Sequence, residues 1–153
     1  MAAISQSIPQ IPPGRPSASL IIVNAQNEVL LVHRNPQARH FGGVHVRSES
    51  NAHYLGILLK GNPQVFPGGN FDREQDQSLS VTAIRETFEE SGLLLASAPT
   101  SLPLSSVTLE QARCDIHAQR LNFKTFLATH SLVADTYSLL PFTQWITPAN
   151  LVS

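Results

Sequence analysis

The chain has 153 residues, 42% of them hydrophobic and 14% charged, with a net charge of −1. This is enough apolar material for a single core, and the charge excludes the basic field expected of a bulk nucleic-acid binder. The single Cys114 excludes an intramolecular disulfide and suits a reducing, intracellular compartment, and no apolar run approaches the roughly 18 residues that a membrane span needs.

Residues 1–16 hold Pro9, Pro12, Pro13 and Pro16 and are expected to form a disordered or extended lead. The first fourteen residues carry no Lys or Arg and no long apolar core, so no signal peptide is read there. Ser17–Asn24 (S-A-S-L-I-I-V-N) reads as a buried strand, with a turn at Asn27 and a hairpin partner at Val29–His33. The Gly-rich turn Phe66–Gly69 (F-P-G-G) precedes a helix expected from about Ser78 to Gly92. Ser78 or Asp76 is the candidate N-cap, and Gly92 suits the left-handed C-terminal position. Val81, Ile84 and Phe88 recur at three- and four-residue steps and define the face toward the core. Leu93–Leu95 are expected to continue as a strand or as packing beneath that helix. Ser106–His117 reads as a second helix with a continuation into Asn122–His130, and Phe142–Thr147 as a short strand after Pro141. Trp145 is assigned to the core in preference to stacking on a base. His33, His117 and His130 have no metal-ligand spacing and are not assigned to catalysis.

The chemistry concentrates in Arg85–Leu93 (R-E-T-F-E-E-S-G-L). Glu86, Glu89 and Glu90 stand at i, i+3 and i+4 and so share one helix face. Three like charges there cost a few tenths of a kcal/mol per pair, a sign that a bound cation reverses. Mg²⁺ takes oxygen ligands and usually keeps several waters, so this donor set suits it. Arg85, four residues before Glu89, is positioned to hold that carboxylate by a forked hydrogen bond.

The two motifs together resemble the signature of the Nudix hydrolases, G-x5-E-x7-R-E-[apolar]-x-E-E-x-G-[apolar]. The resemblance covers about Ser17–Pro148, leaving out one segment, and implies an α/β (α+β) fold with a mixed sheet sandwiched between helices. It implies Mg²⁺- or Mn²⁺-dependent cleavage of a nucleotide-derived diphosphate, with Glu89 and Glu90 as metal ligands and Glu86 as ligand or base. Gly69 resembles the glycine whose backbone carbonyl reaches the metal. The family often forms homodimers, although no interface is identified here. The wording F-P-G-G-N-F-D and A-I-R-E-T-F-E-E-S-G-L-L-L is similar to a eukaryotic branch with fungal members and mitochondrial or peroxisomal coenzyme A diphosphatases. Coenzyme A or an acyl derivative is therefore the preferred substrate class, and cytoplasmic, mitochondrial and peroxisomal settings all stay open. The alternative is a Nudix-fold binding module without turnover, or an inactive truncated or mis-spliced product.

Three departures qualify the match. Gly69 lies sixteen residues before Arg85, against fourteen in the pattern. Gln77 stands where the pattern has Glu, with Glu74 and Asp76 as candidate acids of a longer loop, and Thr87 stands at an apolar position. The domain organisation read from the chain is a lead at 1–16 and one domain at 17–153, with an atypical insertion at 46–64 and a shortened C-terminal end. Val46–Gln64, with its apolar run Tyr54–Leu59, reads either as translated intron or as an inserted surface hairpin. Without it, His45 is expected to join smoothly to Val65.

Overall fold

The computed structural model describes residues 15–34, 44–45, 64–98 and 104–145. Most of the Pro-rich lead, the run Tyr54–Leu59 and residues 146–153 fall outside the described residues.

The expected first strand divides its work. Its start forms β1 (Ser17–Ser19), which pairs antiparallel with β5 (Gly68–Asn70) on the glycine turn, in the register Ser17↔Asn70 to Ser19↔Gly68. Its remainder makes the expected hairpin, with one bridge between Val23 and Val29 and a hydrogen bond from Leu30 N to Ile22 O. Asn27 turns with φ 62°, and the Asn24 side chain accepts from the N–H groups of Gln26 and Glu28. A side-chain amide that imitates a backbone turn explains this chemistry. The reading of this strand as buried is corrected: Ile21 and Val23 are 42% and 53% exposed. Apolar residues alone identify a strand without supplying the layer that would cover it.

Beyond the hairpin, β2 (Val32–Arg34) is the middle of three antiparallel strands. β3 (Val44–His45) lies on one side and β4 (Gln64–Val65) on the other, and His33 stands opposite both His45 and Gln64. The outer strands are therefore roughly 9–10 Å apart across β2. One peptide step covers only about 3.8 Å, so joining His45 directly to Val65 gives up one of these pairings. In this topology β2 lies between the two ends that the join would connect. A third pair, β6 (Ala96–Ser97) with β7 (Val133–Ala134), completes the described strands. The α+β class is as expected. The sheet element takes the form of three small antiparallel sheets among the described residues.

Helix α1 (Leu79–Ser91) has the expected bounds. Ser78 caps it by accepting from Val81 N, and Gly92 ends it at φ 76°, where a side chain is strained. α2 (Ser106–His117) and α3 (Phe123–Thr129) are separate helices, capped by Ser105 and Asn122. The continuous reading fails at Gln119, whose φ of 57° breaks the helix. The core lies where the three helices meet: Ile84 and Phe88 from α1, Ala112 and Ile116 from α2, Phe123 and Phe126 from α3. Phe88 stacks on Phe126 with ring centroids 5.7 Å apart, and Phe123 tilts against both. Leu94 and Leu95 pack against this cluster, while Leu93 is exposed. No described helix is long and apolar enough to cross a membrane.

Two expectations at the end of the chain are corrected. Residues 142–145 form no strand, and Trp145 is 87% exposed, not core. The helical cluster closes on three phenylalanines and leaves no described apolar surface over Trp145.

Thr87, at the position where the motif is usually apolar, is fully buried and its hydroxyl has no hydrogen-bond partner among the described residues. Such an orphan costs about 1–3 kcal/mol. Thr87→Val keeps the shape and removes the orphan, so stability should rise by about 1 kcal/mol, or roughly 3 °C in Tm. A thermal melt that drops for this variant would mean the hydroxyl has a partner after all.

Candidate active site

Three pieces of chain build the cleft: the loop after β5, the polar face of α1 and the C-terminal turn of α2. Its volume is about 530 Å³, and its walls include Asn70–Arg73, Arg85, Glu86, Glu89, Glu90, His117 and Gln119. That size suits a small molecule, while the lining is far more charged than a typical apolar pocket.

At its floor lies Arg85, only 4% exposed. Nε donates to Asp76 Oδ1 at 2.8 Å, and Nη2 donates to Asp76 Oδ2 and to the Asn70 carbonyl, each at 2.9 Å. Nη1 donates to Glu89 Oε1 at 2.7 Å and lies 2.9 Å from Glu86 Oε1. The forked bond expected on Glu89 therefore falls on Asp76, whose two oxygens meet the side-on fork of Nε and Nη2. Burial opposes the Arg85 charge, but the Asp76 hydrogen bonds and the charges of Glu86 and Glu89 outweigh it. The guanidinium is held above its ordinary value.

The candidate loop acids part company. Asp76 has its side chain fully buried, and its carboxylate also accepts from Thr82 Oγ1 and Asp72 N. All its visible capacity is spent on the protein. Glu74 is exposed and stands outside the cleft wall. The acid that does line the cleft is Asp72, which the motif did not single out. Hydrogen bonds from Glu74 N and Gln75 Nε2 hold its carboxyl below the usual range, against a smaller opposing effect of burial.

Glu86, Glu89 and Glu90 all line the cleft. Gly69 lies against Glu86 so closely that a Cβ there would sit 2.5 Å from the carboxyl carbon. A side chain at this position would push the Glu86 carboxyl aside. Gly68 N donates to Glu90 Oε2 at 3.0 Å. Burial pushes the Glu86 carboxyl up to about 7, with Arg85 pulling the other way. Burial likewise raises Glu90 to about 7, only partly offset by the Gly68 N–H. Among the described residues, no three His, Cys, Asp or Glu side chains stand in a ready metal-binding cluster. Glu86 and Glu89 are drawn onto Arg85 instead.

His117 joins the site although its sequence position gave no metal-ligand signal. Nδ1 lies 3.6 Å from Glu89 Oε2. Arg113, one turn earlier, donates to the Glu89 carbonyl at 3.0 Å and fixes α2 against α1. The pair Arg113 and His117 at i, i+4 is visible in the sequence, but nothing local distinguishes it from a solvated face. His33 and His130 do not line the cleft.

Two outcomes follow from this geometry. Removing one partner of a buried ion pair leaves an uncompensated charge, so Asp76→Asn should lower the stability of the metal-free chain by about 3–5 kcal/mol. Urea unfolding checks this; a loss under about 1 kcal/mol would return Asp76 to the list of free acids. The second concerns pH. Folded Glu86 and Glu90 keep protons up to about pH 7, against 4.5 for a free carboxyl. The folded chain then binds more protons than the unfolded one, so their stabilising contribution is complete below pH 4.5 and lost as pH rises through about 7. Thermal melts in chelator should fall across that window, and less so for the double variant Glu86→Gln, Glu90→Gln. Parallel slopes would remove these carboxyls as the cause.

A family model for the NUDIX domain matches residues 13–136. No curated protein and no solved structure matches the chain at a significant level. The family match runs from the lead into β1, through the glycine turn and α1, and on past α3 to β7. With its acidic helix and glycine turn inside that span, the chain belongs to the Nudix family, whose members hydrolyse nucleoside diphosphate derivatives.

Proposed function

We propose that this chain is a Mg²⁺- or Mn²⁺-dependent diphosphatase acting on a nucleoside diphosphate linked to another moiety. The observation that carries the reading is the convergence of Glu86, Glu89 and Glu90 on one cleft, with the Gly69 backbone pressed against Glu86.

The donor set fits a hard divalent cation. It is all oxygen, and two of its carboxyls are buried without enough positive charge to keep them ionised at neutral pH. Glu86, Glu89, Glu90 and the Gly69 carbonyl would hold the ion. When bound, it supplies charge neutralisation on the phosphate oxygens and lowers the pKa of attacking water. The protein's own groups do the rest. Glu86, or a neighbouring carboxylate, accepts the proton of the attacking water. Arg85 keeps α1 and the glycine loop in fixed relation, so the carboxylates cannot drift from the scissile bond. Coenzyme A or an acyl derivative is the preferred substrate, on the similarity of F-P-G-G-N-F-D and A-I-R-E-T-F-E-E-S-G-L-L-L to the coenzyme A branch, which is an argument by analogy.

One observation favours a second reading, a Nudix-fold binding module. Glu86 and Glu89 are already paired with Arg85, so an ion must compete with a guanidinium for them. Hydrolysis assays separate the two. With Mg²⁺ or Mn²⁺, the chain should turn over coenzyme A, ADP-ribose or a dinucleoside polyphosphate, and Glu89→Gln should reduce kcat by at least about a hundredfold. Folded protein with no turnover on any of these would favour the binding module.

A further inference from the structure

The cleft has an imbalance that the catalytic carboxylates do not resolve. Among the described residues, Asp72, Glu86, Glu89 and Glu90 line it, and two guanidiniums, Arg73 and Arg85, stand against them. Arg85 is buried and fully engaged with Asp76, Asn70, Glu86 and Glu89. A diphosphate entering here meets like charge, and a metal at the three glutamates neutralises only the part it touches.

Arg73 is placed differently. It is exposed, lines the same cleft, and makes no ion pair among the described residues. The neighbouring Asp72 carboxylate accepts from Glu74 N and Gln75 Nε2 and forms no ion pair with Arg73 among the described residues. The loop beneath Arg73 is also braced from several sides. Phe71 N donates to Pro16 O at 2.9 Å, and Asp72 N to Asp76 Oδ2 at 2.9 Å. Asp76 N returns to Asp72 O at 2.8 Å. Gln75 Oε1 accepts from Phe123 N at 3.0 Å, a contact that ties the loop to the first turn of α3. The backbone is thus fixed while the side chain reaches into solvent at the mouth. A braced loop carrying a free guanidinium is preorganised for an anion, because little loop entropy is lost on binding. Guanidinium also suits phosphate better than ammonium, through its paired N–H groups.

We infer that Arg73 is the residue that recognises the substrate's diphosphate at the cleft mouth, binding the phosphate that is not held at the Glu86, Glu89 and Glu90 centre. This deepens the diphosphatase reading and rests on the same cleft. Phe71 and Gln119 line that cleft as well and offer an aromatic ring and an amide to the group attached beyond the phosphates. Arg73 acts in binding, so it governs affinity more than the chemical step.

The test uses the full chain, with Arg73→Gln and Arg73→Lys beside the wild type. Two readouts are taken: Mg²⁺-dependent hydrolysis of ADP-ribose and coenzyme A, and calorimetric binding of α,β-methylene-ADP, a diphosphate that cannot be cleaved. Arg73→Gln should raise KM and weaken methylene-ADP binding by about tenfold or more, with kcat changed by less than about threefold and Tm unchanged. Arg73→Lys should recover part of the affinity. Binding that depends on Arg73 without turnover by the wild type would uphold this inference and defeat the diphosphatase reading. Turnover with equal KM in wild type and Arg73→Gln would do the reverse. Failure of the wild type to bind methylene-ADP would overturn the assignment of Arg73.

Discussion

Everything at the site depends on one buried guanidinium. Arg85 ties the loop through Asp76, the glycine strand through the Asn70 carbonyl, and its own helix through Glu86 and Glu89. A buried ion pair is not by itself evidence of stability, since desolvation consumes most of the Coulombic gain. Its value here is geometric. The planar fork admits Asp76 in one orientation, and that orientation sets the loop relative to the helix. Around it, Gly69 lets the backbone come up to Glu86, and Gly68 offers its N–H to Glu90.

The same arrangement is electrostatically frustrated. One arginine serves three carboxylates, and among the described residues a single backbone N–H, from Gly68, donates to Glu90. Burial then pushes Glu86 and Glu90 toward neutrality. A chain optimised only for stability would replace such residues with apolar ones, as the adjoining Ile84 and Phe88 illustrate. Partly compensated acids beside a well-packed aromatic cluster are what the proposed metal-dependent reading requires.

Legibility followed the range of the interactions. The bounds of α1 could be read because Ser78 and Gly92 act on their own neighbours, and the shared face of Glu86, Glu89 and Glu90 because helix periodicity is local. The bounds of α2 could be read for the same reason. The partner of Arg85 could not: spacing pointed to Glu89 one turn away, whereas the fork reaches Asp76 across the loop. His117 and Arg73 reach the cleft only through packing of α2 on α1 and through bracing of the loop on α3. Pairing of β1 with the glycine strand left no pattern either, because Ser17–Ser19 and Gly68–Asn70 lack the alternating apolar residues that announce a ladder. Trp145 failed for a different reason: its size argues for burial, but burial needs a facing surface that the sequence does not reveal.

The pairing of β1 with β5 also sets an order of events during synthesis. Ser17–Ser19 leave the ribosome well before Gly68–Asn70, by several seconds at about 5–20 residues per second. In that interval the strand has no ladder partner, and the neighbouring Ile21 and Val23 remain open to solvent. The floor of the cleft therefore cannot begin to assemble until the glycine turn emerges, and it is complete only when α3 has followed to receive Gln75. A nascent chain of this topology carries β1 without its ladder partner until the glycine turn has emerged.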